Sequence, residues 1–332
     1  MTHGDRCFRS RRLSAVGLGT HRGALNAATD DGYTRAIQRA IELGCNAFDT
    51  AINYRCQRSE RVLGLTLHQG MTDGRIQRAD VIVATKGGYI PFESSPPANV
   101  RQFVDAHYVR TGTLRASDLA GDHHAMAPPF LAQQITRSLA NLRLEAVDIY
   151  YLHNPEEQRR RRDPADFERR MAAALECLES AVASGQVGVY GIATWEGLRV
   201  DPGDPSHLSL DDLVALARRV AGEGHHFRAI QLPFNLLARE AVERPTQNID
   251  GERVTVFEAA RRLGLTVFTS AAILQGQPER VPAETAVALG LDHPVRPERA
   301  LDWVVATRGV ACALVGMGSE RHVNQNLLRA SR

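Results

Sequence analysis

The sequence predicts an α/β fold, a single (β/α)8 barrel, and three observations carry that expectation. Eight short apolar runs alternate with eight longer amphipathic ones across 332 residues, and such alternation favours a parallel sheet with right-handed crossovers. Two long interruptions of the rhythm both follow apolar runs, at the strand ends where barrel enzymes carry their sites. A doubly wound sheet would instead show GxGxxG after its first strand, but VGLGTHRG has the wrong spacing and no helix follows it directly.

The elements follow in order. SAVGLGT (14–20) is the first strand; DDGYTRAIQRAIELG (30–44) is a helix with Ala36, Ile37, Ala40, Ile41 and Leu43 on one side and Gly44 as its stop. NAFDTA (46–51) and SERVLGLTLHQ (59–69) form the second unit. VIVATK (81–86) is the third strand, whose helix, FLAQQITRSLANLR, begins only near residue 130. VDIYYLH (147–153) pairs with the helix at 167–185, VGVYGIAT (187–194) with 210–221, and AIQLPFN (229–235) with 254–264. LTVFTSAAI (265–273) with 296–307 and ACALVGM (311–317) with 319–330 complete eight units. Residues 87–129 and 274–295 are the two long connections, expected as lids or substrate walls. No low-complexity linker interrupts the pattern, so one domain over 1–332 is expected.

Composition narrows the function classes. The chain is 43% hydrophobic with 40 basic and 38 acidic residues, a formal net charge of +2. This balance offers no electrostatic footprint for nucleic acid or a membrane surface. No apolar run approaches the ~20 residues of a membrane span, and the first twenty residues lack the apolar core of a signal peptide. Cys7, Cys45, Cys56, Cys177 and Cys312 form no CxxC pair, a pattern of reduced thiols in a cytoplasmic protein. His123 and His124 stand beside Asp122 without a third ligand at metal-binding spacing, so no metal is expected. The run RRRR at 159–162 reads as a solvated loop.

One lysine stands out. Lys86 is the single lysine among 40 basic residues, at the end of the third apolar run. Arginine replaces lysine on a solvated surface but not where chemistry needs a compact ammonium with a tunable pKa. In a barrel, Asp49, Tyr54, Lys86 and His153 converge at the ends of three consecutive strands. An ammonium beside a tyrosine favours its phenolate and lowers its pKa. A carboxylate holds the ammonium, and a histidine orients a carbonyl oxygen. Together these form a general-acid device for carbonyl reduction.

The motifs FDTAINY…SERVLG, VIVATKGG, LANLRLEAVDIYYLHNP, GQVGVYGIAT, IQLPFN and VGMGSERHVNQNL resemble the aldo-keto reductase family over nearly the whole chain. The resemblance implies a (β/α)8 barrel that interconverts carbonyls and alcohols with NAD(P)(H), and its tetrad falls on Asp49, Tyr54, Lys86 and His153. It places the cofactor against Gly19, Thr20 and Asp49, then Thr194 and Gln231, with Phe234 stacking on the nicotinamide. Ser270, Leu274 and Gly276 would follow the pyrophosphate; Gly316, Gly318, His322, Gln325 and Asn326 would meet the adenosine end. The family's lysine and arginine for a 2′-phosphate are replaced by Gly316, Met317 and His322, leaving NADP(H) favoured and NAD(H) open. Tyr89, Phe92 and Trp195 are the expected substrate walls beside Tyr54 and His153. The substrate is expected to be a small carbonyl compound. A cofactor-binding regulatory subunit with little turnover, or a reductase of imines or activated alkenes, stands as the alternative. Oligomeric state is left open.

Overall fold

A computed structural model describes residues 6–330. Residues 1–5 and 331–332, the two ends of the expected 1–332 domain, lie outside the described residues. The parallel strands close into a barrel: β1 (Val16–Gly19), β2 (Ala47–Asp49), β3 (Ile82–Gly87), β4 (Val147–His153), β5 (Val187–Ala193), β6 (Phe227–Pro233), β7 (Thr266–Ser270) and β8 (Val310–Gly316). Each pairs with its sequence neighbours, and β8 returns to β1 through Ala313–Val16 and Gly316–Gly19.

The outer ring comprises α1 (Ala27–Glu42), α2 (Arg58–Thr72), α3 (Pro128–Leu142), α4 (Pro164–Ala183), α5 (Leu210–Ala221), α6 (Val256–Arg262), α7 (Pro297–Ala306) and α8 (Glu320–Ala330). Local chemistry sets their ends. Asn26, Asp163, Ser209 and Thr255 accept first-turn backbone amides as N-caps. Pro128 and Pro164 occupy first turns, where a missing N–H costs nothing.

Side-chain alternation divides the strands between two cores. Inward residues such as Ala47, Ala84, Ile149, Tyr151, Val189, Ala229, Phe268 and Leu314 fill the barrel. Outward residues such as Phe48, Val83, Tyr150, Ile192 and Ile230 pack against the helices. The two-residue period has a direct consequence at the rim. The inward series ends in Asp49, Lys86, His153, Gln231 and Ser270, one turn of the pleat above Ala47, Ala84, Tyr151, Ala229 and Phe268. Gly191 lies where β5 and β6 shift register. A Cβ there would stand 1.7 Å from the Ala229 carbonyl oxygen, so only glycine lets these strands approach.

Several elements had no expectation in the sequence. A hairpin of Cys7–Phe8 with Arg11–Arg12 closes the N-terminal end of the barrel, where Phe8 packs edge-on to Phe268 at 5.9 Å. A second hairpin, Gln247–Ile249 with Glu252–Val254, lies between β6 and α6. The 87–129 connection packs Ile90, Val104, Leu114 and Ala125 against Phe130 of α3. It is anchored through Ala125 N–H to Gly88 O and Ile90 N–H to His123 O, both 2.8 Å. The 274–295 connection carries the short helix Ala283–Ala288 and packs around Val281, Ala286 and Val295. The arginine run is the solvated loop expected only in part: Arg160 and Arg161 are exposed in a turn, but its two ends are engaged. Arg159 ends a helical turn, and Arg162 donates to the Ser117 and Leu119 carbonyls at 2.9 and 3.1 Å, tying the first insertion to α4.

Candidate active site

The four convergent residues meet at the C-terminal rim. Lys86 is fully buried. Its Nζ donates to Asp49 Oδ2 at 2.7 Å and to the Thr50 carbonyl at 2.9 Å, and stands 4.7 Å from the centre of the Tyr54 ring. The other Asp49 oxygen accepts from Gln231 Nε2 at 2.8 Å. Lys86 therefore lies behind the site wall, with Asp49 and Tyr54 between it and the cleft. The His153 ring meets Tyr54 edge-on at 5.7 Å and Tyr89 at 5.0 Å.

The electrostatics follow from burial. Burial works against the Lys86 ammonium, but Asp49 and then Tyr54 outweigh it, so its pKa rises above the ordinary lysine value. Burial also raises the Tyr54 phenol; Lys86 opposes that rise without cancelling it. The lowering expected from the ammonium alone is therefore reversed in sign, because desolvation of a phenolate costs more than one neighbouring charge returns. Burial, then Lys86, holds His153 well below the ordinary histidine range, so its imidazole is neutral at pH 7.

The rim opens into a cleft of 610 Å³, within the ~300–1,000 Å³ of ligand sites. Gly19, Asp49, Tyr54, Tyr89, His153, Thr194, Trp195, Gln231, Ser270, Gly276, Gly316, His322, Gln325 and Asn326 line it, as the sequence suggested. Trp195 is 48% exposed there. Its backbone N–H donates to the buried Glu156 carboxylate at 2.7 Å, which sets the path of the chain after β5. Tyr89 accepts from Asn154 Nδ2 at 3.0 Å and stacks on His123. His124 is buried, and its Nε2 lies 2.8 Å from the His153 carbonyl. The first insertion thus braces β4 where His153 leaves it.

Five expected residues lie elsewhere. Phe234 is fully buried and packs on Phe257 and Trp303. Phe234 is the first residue beyond β6, where its N–H donates to the Ser270 carbonyl at 3.1 Å and its ring turns away from the cleft into the packing between helices. Phe92 packs on Phe103 within the insertion, and Leu274 on the second insertion's core. Thr20 is buried with its hydroxyl 3.2 Å from the Asp49 carbonyl. Gly318 lies beside Tyr33. Conversely, the cleft walls include His21, Arg22, Asn53, Asn154 and Gln275, which sequence reasoning did not single out. A polar residue directly after a strand was the available signal for His21 and Asn154. Arg22 Nη2 donates across the cleft to Gln275 Oε1 at 2.5 Å.

Comparison with known proteins agrees with this geometry. Residues 15–201 match the Aldo/keto reductase family. Deoxymugineic acid synthase 1 of Hordeum vulgare is 26% identical over 208 residues, 60% of this chain and 53% of that protein. D-threo-aldose 1-dehydrogenase of a Pseudomonas species is 26% identical over 186 residues, 55% of this chain and 50% of that protein. The chain spans about half the length of the curated relatives it matches. Among solved structures, the holo form of an aldo-keto reductase from Bacillus halodurans superposes with a TM-score of 0.65 at 19% identity, covering 97% of this chain and 88% of that one. A Klebsiella pneumoniae aldo/keto reductase in complex with NADP and acetate gives 0.60 at 20% identity, covering 96% and 87%. At such identities the superpositions speak for the barrel alone; with the family match over more than half the sequence, they mean that this chain belongs to the aldo/keto reductase family.

Proposed function

We propose that the protein reduces an aldehyde or ketone to an alcohol with a nicotinamide cofactor, NADP(H) in preference to NAD(H). The observation that carries the reading is the buried Asp49–Lys86 pair beneath Tyr54, with a neutral His153 beside it. Tyr54 retains its proton at neutral pH and is the proton donor to the carbonyl oxygen. Lys86, fixed by Asp49, stabilises the phenolate left after transfer. His153 offers that oxygen a hydrogen bond without adding charge.

The cleft fits an elongated cofactor. It runs from Asp49 and Tyr54 to Gly316, His322 and Asn326, and nothing lies within 4 Å of a Cβ built on Gly316. Gln231 spends its amide N–H on Asp49, which leaves Oε1 to accept from a carboxamide. Ser270 would supply a hydroxyl, Arg22 and Gly276 would meet a pyrophosphate, and Gln325 and Asn326 would meet the adenine end, whereas the Thr194 hydroxyl accepts from the Gly197 N–H at 2.9 Å. A reduced nicotinamide bound there supplies the hydride. The preference for NADP(H) draws support from the Klebsiella structures with NADP and NADPH. His322 and the start of α8 are the groups available to an added phosphate.

The test is fluorescence titration with NADPH and NADH, followed by nicotinamide absorbance against a panel of aldehydes and ketones. Binding with oxidation of the cofactor is expected. Binding without turnover across the panel would move the assignment to a regulatory subunit, and turnover of imines or activated alkenes alone would change the bond reduced.

A further inference from the structure

His21 lies two residues beyond β1 and stands exposed in the cleft wall. Its ring meets Tyr54 at 4.6 Å between centroids, 64° between planes. His21 and His153 therefore flank Tyr54, one arriving from the first strand and the other from the fourth. His153 Nδ1 is buried without a partner among the described residues. His124, His207 and His226 all place a ring nitrogen within 2.8 Å of a protein oxygen. No hydrogen bond from His21 to another described residue accompanies its contact with Tyr54. Asn53, beside Tyr54 in the same wall, has a buried Oδ1 without a protein partner among the described residues.

Partial desolvation of the ring where it meets Tyr54, with Lys86 and Arg22 nearby, lowers the His21 pKa and keeps the ring neutral at pH 7. A neutral imidazole has one donor and one acceptor, the pair that matches a hydroxyl group. A carbonyl oxygen held by Tyr54 and His153 uses neither of them. An unsubstituted alkyl chain would leave His21 facing carbon.

We propose that His21 sets the substrate preference of the cleft by hydrogen-bonding a hydroxyl on the carbon next to the carbonyl. The inference rests on the carbonyl-reductase reading and narrows it to α-hydroxy carbonyl compounds. Sites that hydrogen-bond a substrate hydroxyl discriminate against the analogue that lacks it, and the discrimination shrinks where water reaches the site. His21 is open to water, so a preference of about tenfold is expected.

The test compares kcat/KM for 2-hydroxypropanal and propanal in the wild type, His21→Phe and His21→Gln. Differences in aldehyde hydration cancel when the ratio is compared between variants. In His21→Phe the ratio of hydroxylated to plain aldehyde should fall about tenfold. His21→Gln, which still donates and accepts, should keep most of it. A ratio unchanged in His21→Phe overturns the inference and leaves the reductase reading standing. An equal fall in both variants overturns it as well, since it would trace the preference to packing. No turnover of either aldehyde by the wild type overturns the parent reading and this inference with it.

Discussion

Replacing Lys86 by methionine tests the centre of the site. Methionine roughly matches the length of the lysine stem and keeps the buried volume filled, so the change removes charge and little else. Asp49 then loses the ammonium at 2.7 Å and keeps only the Gln231 amide at 2.8 Å. Breaking a buried ion pair from one side costs about 3–5 kcal/mol, because the remaining charge has no counter-ion. Lys86 is fully buried and Asp49 nearly so, which puts this pair in that regime. Adding Asp49→Asn removes the stranded charge, and the double variant should recover more than half of the loss. Turnover follows a different rule. Without Lys86 nothing offsets the burial that raises Tyr54, and carbonyl reduction should fall by up to the ~10²–10⁴-fold that a positioned proton donor contributes. The double variant should stay inactive. Urea unfolding measures the first effect and cofactor-dependent reduction at saturating aldehyde the second. A single variant within about 1 kcal/mol of wild type, or a double variant no more stable than the single, would refute the buried-pair account.

Two further outcomes follow from the packing. Phe234→Leu should lower stability by about 1–3 kcal/mol while leaving nucleotide affinity unchanged in a fluorescence titration, because the ring packs on Phe257 and Trp303 outside the cleft. His124 is pushed down to about 4 by burial, against the pull of the His153 carbonyl. Its native state resists a proton that the unfolded chain accepts near pH 6.5. Stability should therefore drop as pH falls from about 6.5 to about 4, by as much as ~3 kcal/mol from this group, and His124→Gln should flatten that part of the curve in urea titrations.

Much of this architecture is legible in the sequence because its signals are local. Runs such as VDIYYLH and LDDLVALARRVA declare their period within one element, and both stand where the sequence places them. The lone lysine is legible for a related reason: a compact ammonium at a strand end is a chemical choice made at one position. Convergence of Asp49, Lys86 and His153 then follows from topology, since parallel strands of a closed barrel deliver their C-terminal residues to one rim.

What tertiary structure alone decided is which way each side chain faces and what it meets. Phe234 stands just past the end of β6, and its ring packs on Phe257 and Trp303, two residues far away in sequence. The sign of the Tyr54 shift depended on how much water the fold removes, a property of the closed rim and not of neighbouring residue types. His21, Arg22 and Asn154 entered the site because two separate connections, after β1 and after β4, border the same cleft. Their partners are distant in sequence, so no spacing announces them. A one-dimensional pattern records periodicity and residue chemistry; desolvation and contact between distant segments exist only once the chain has closed.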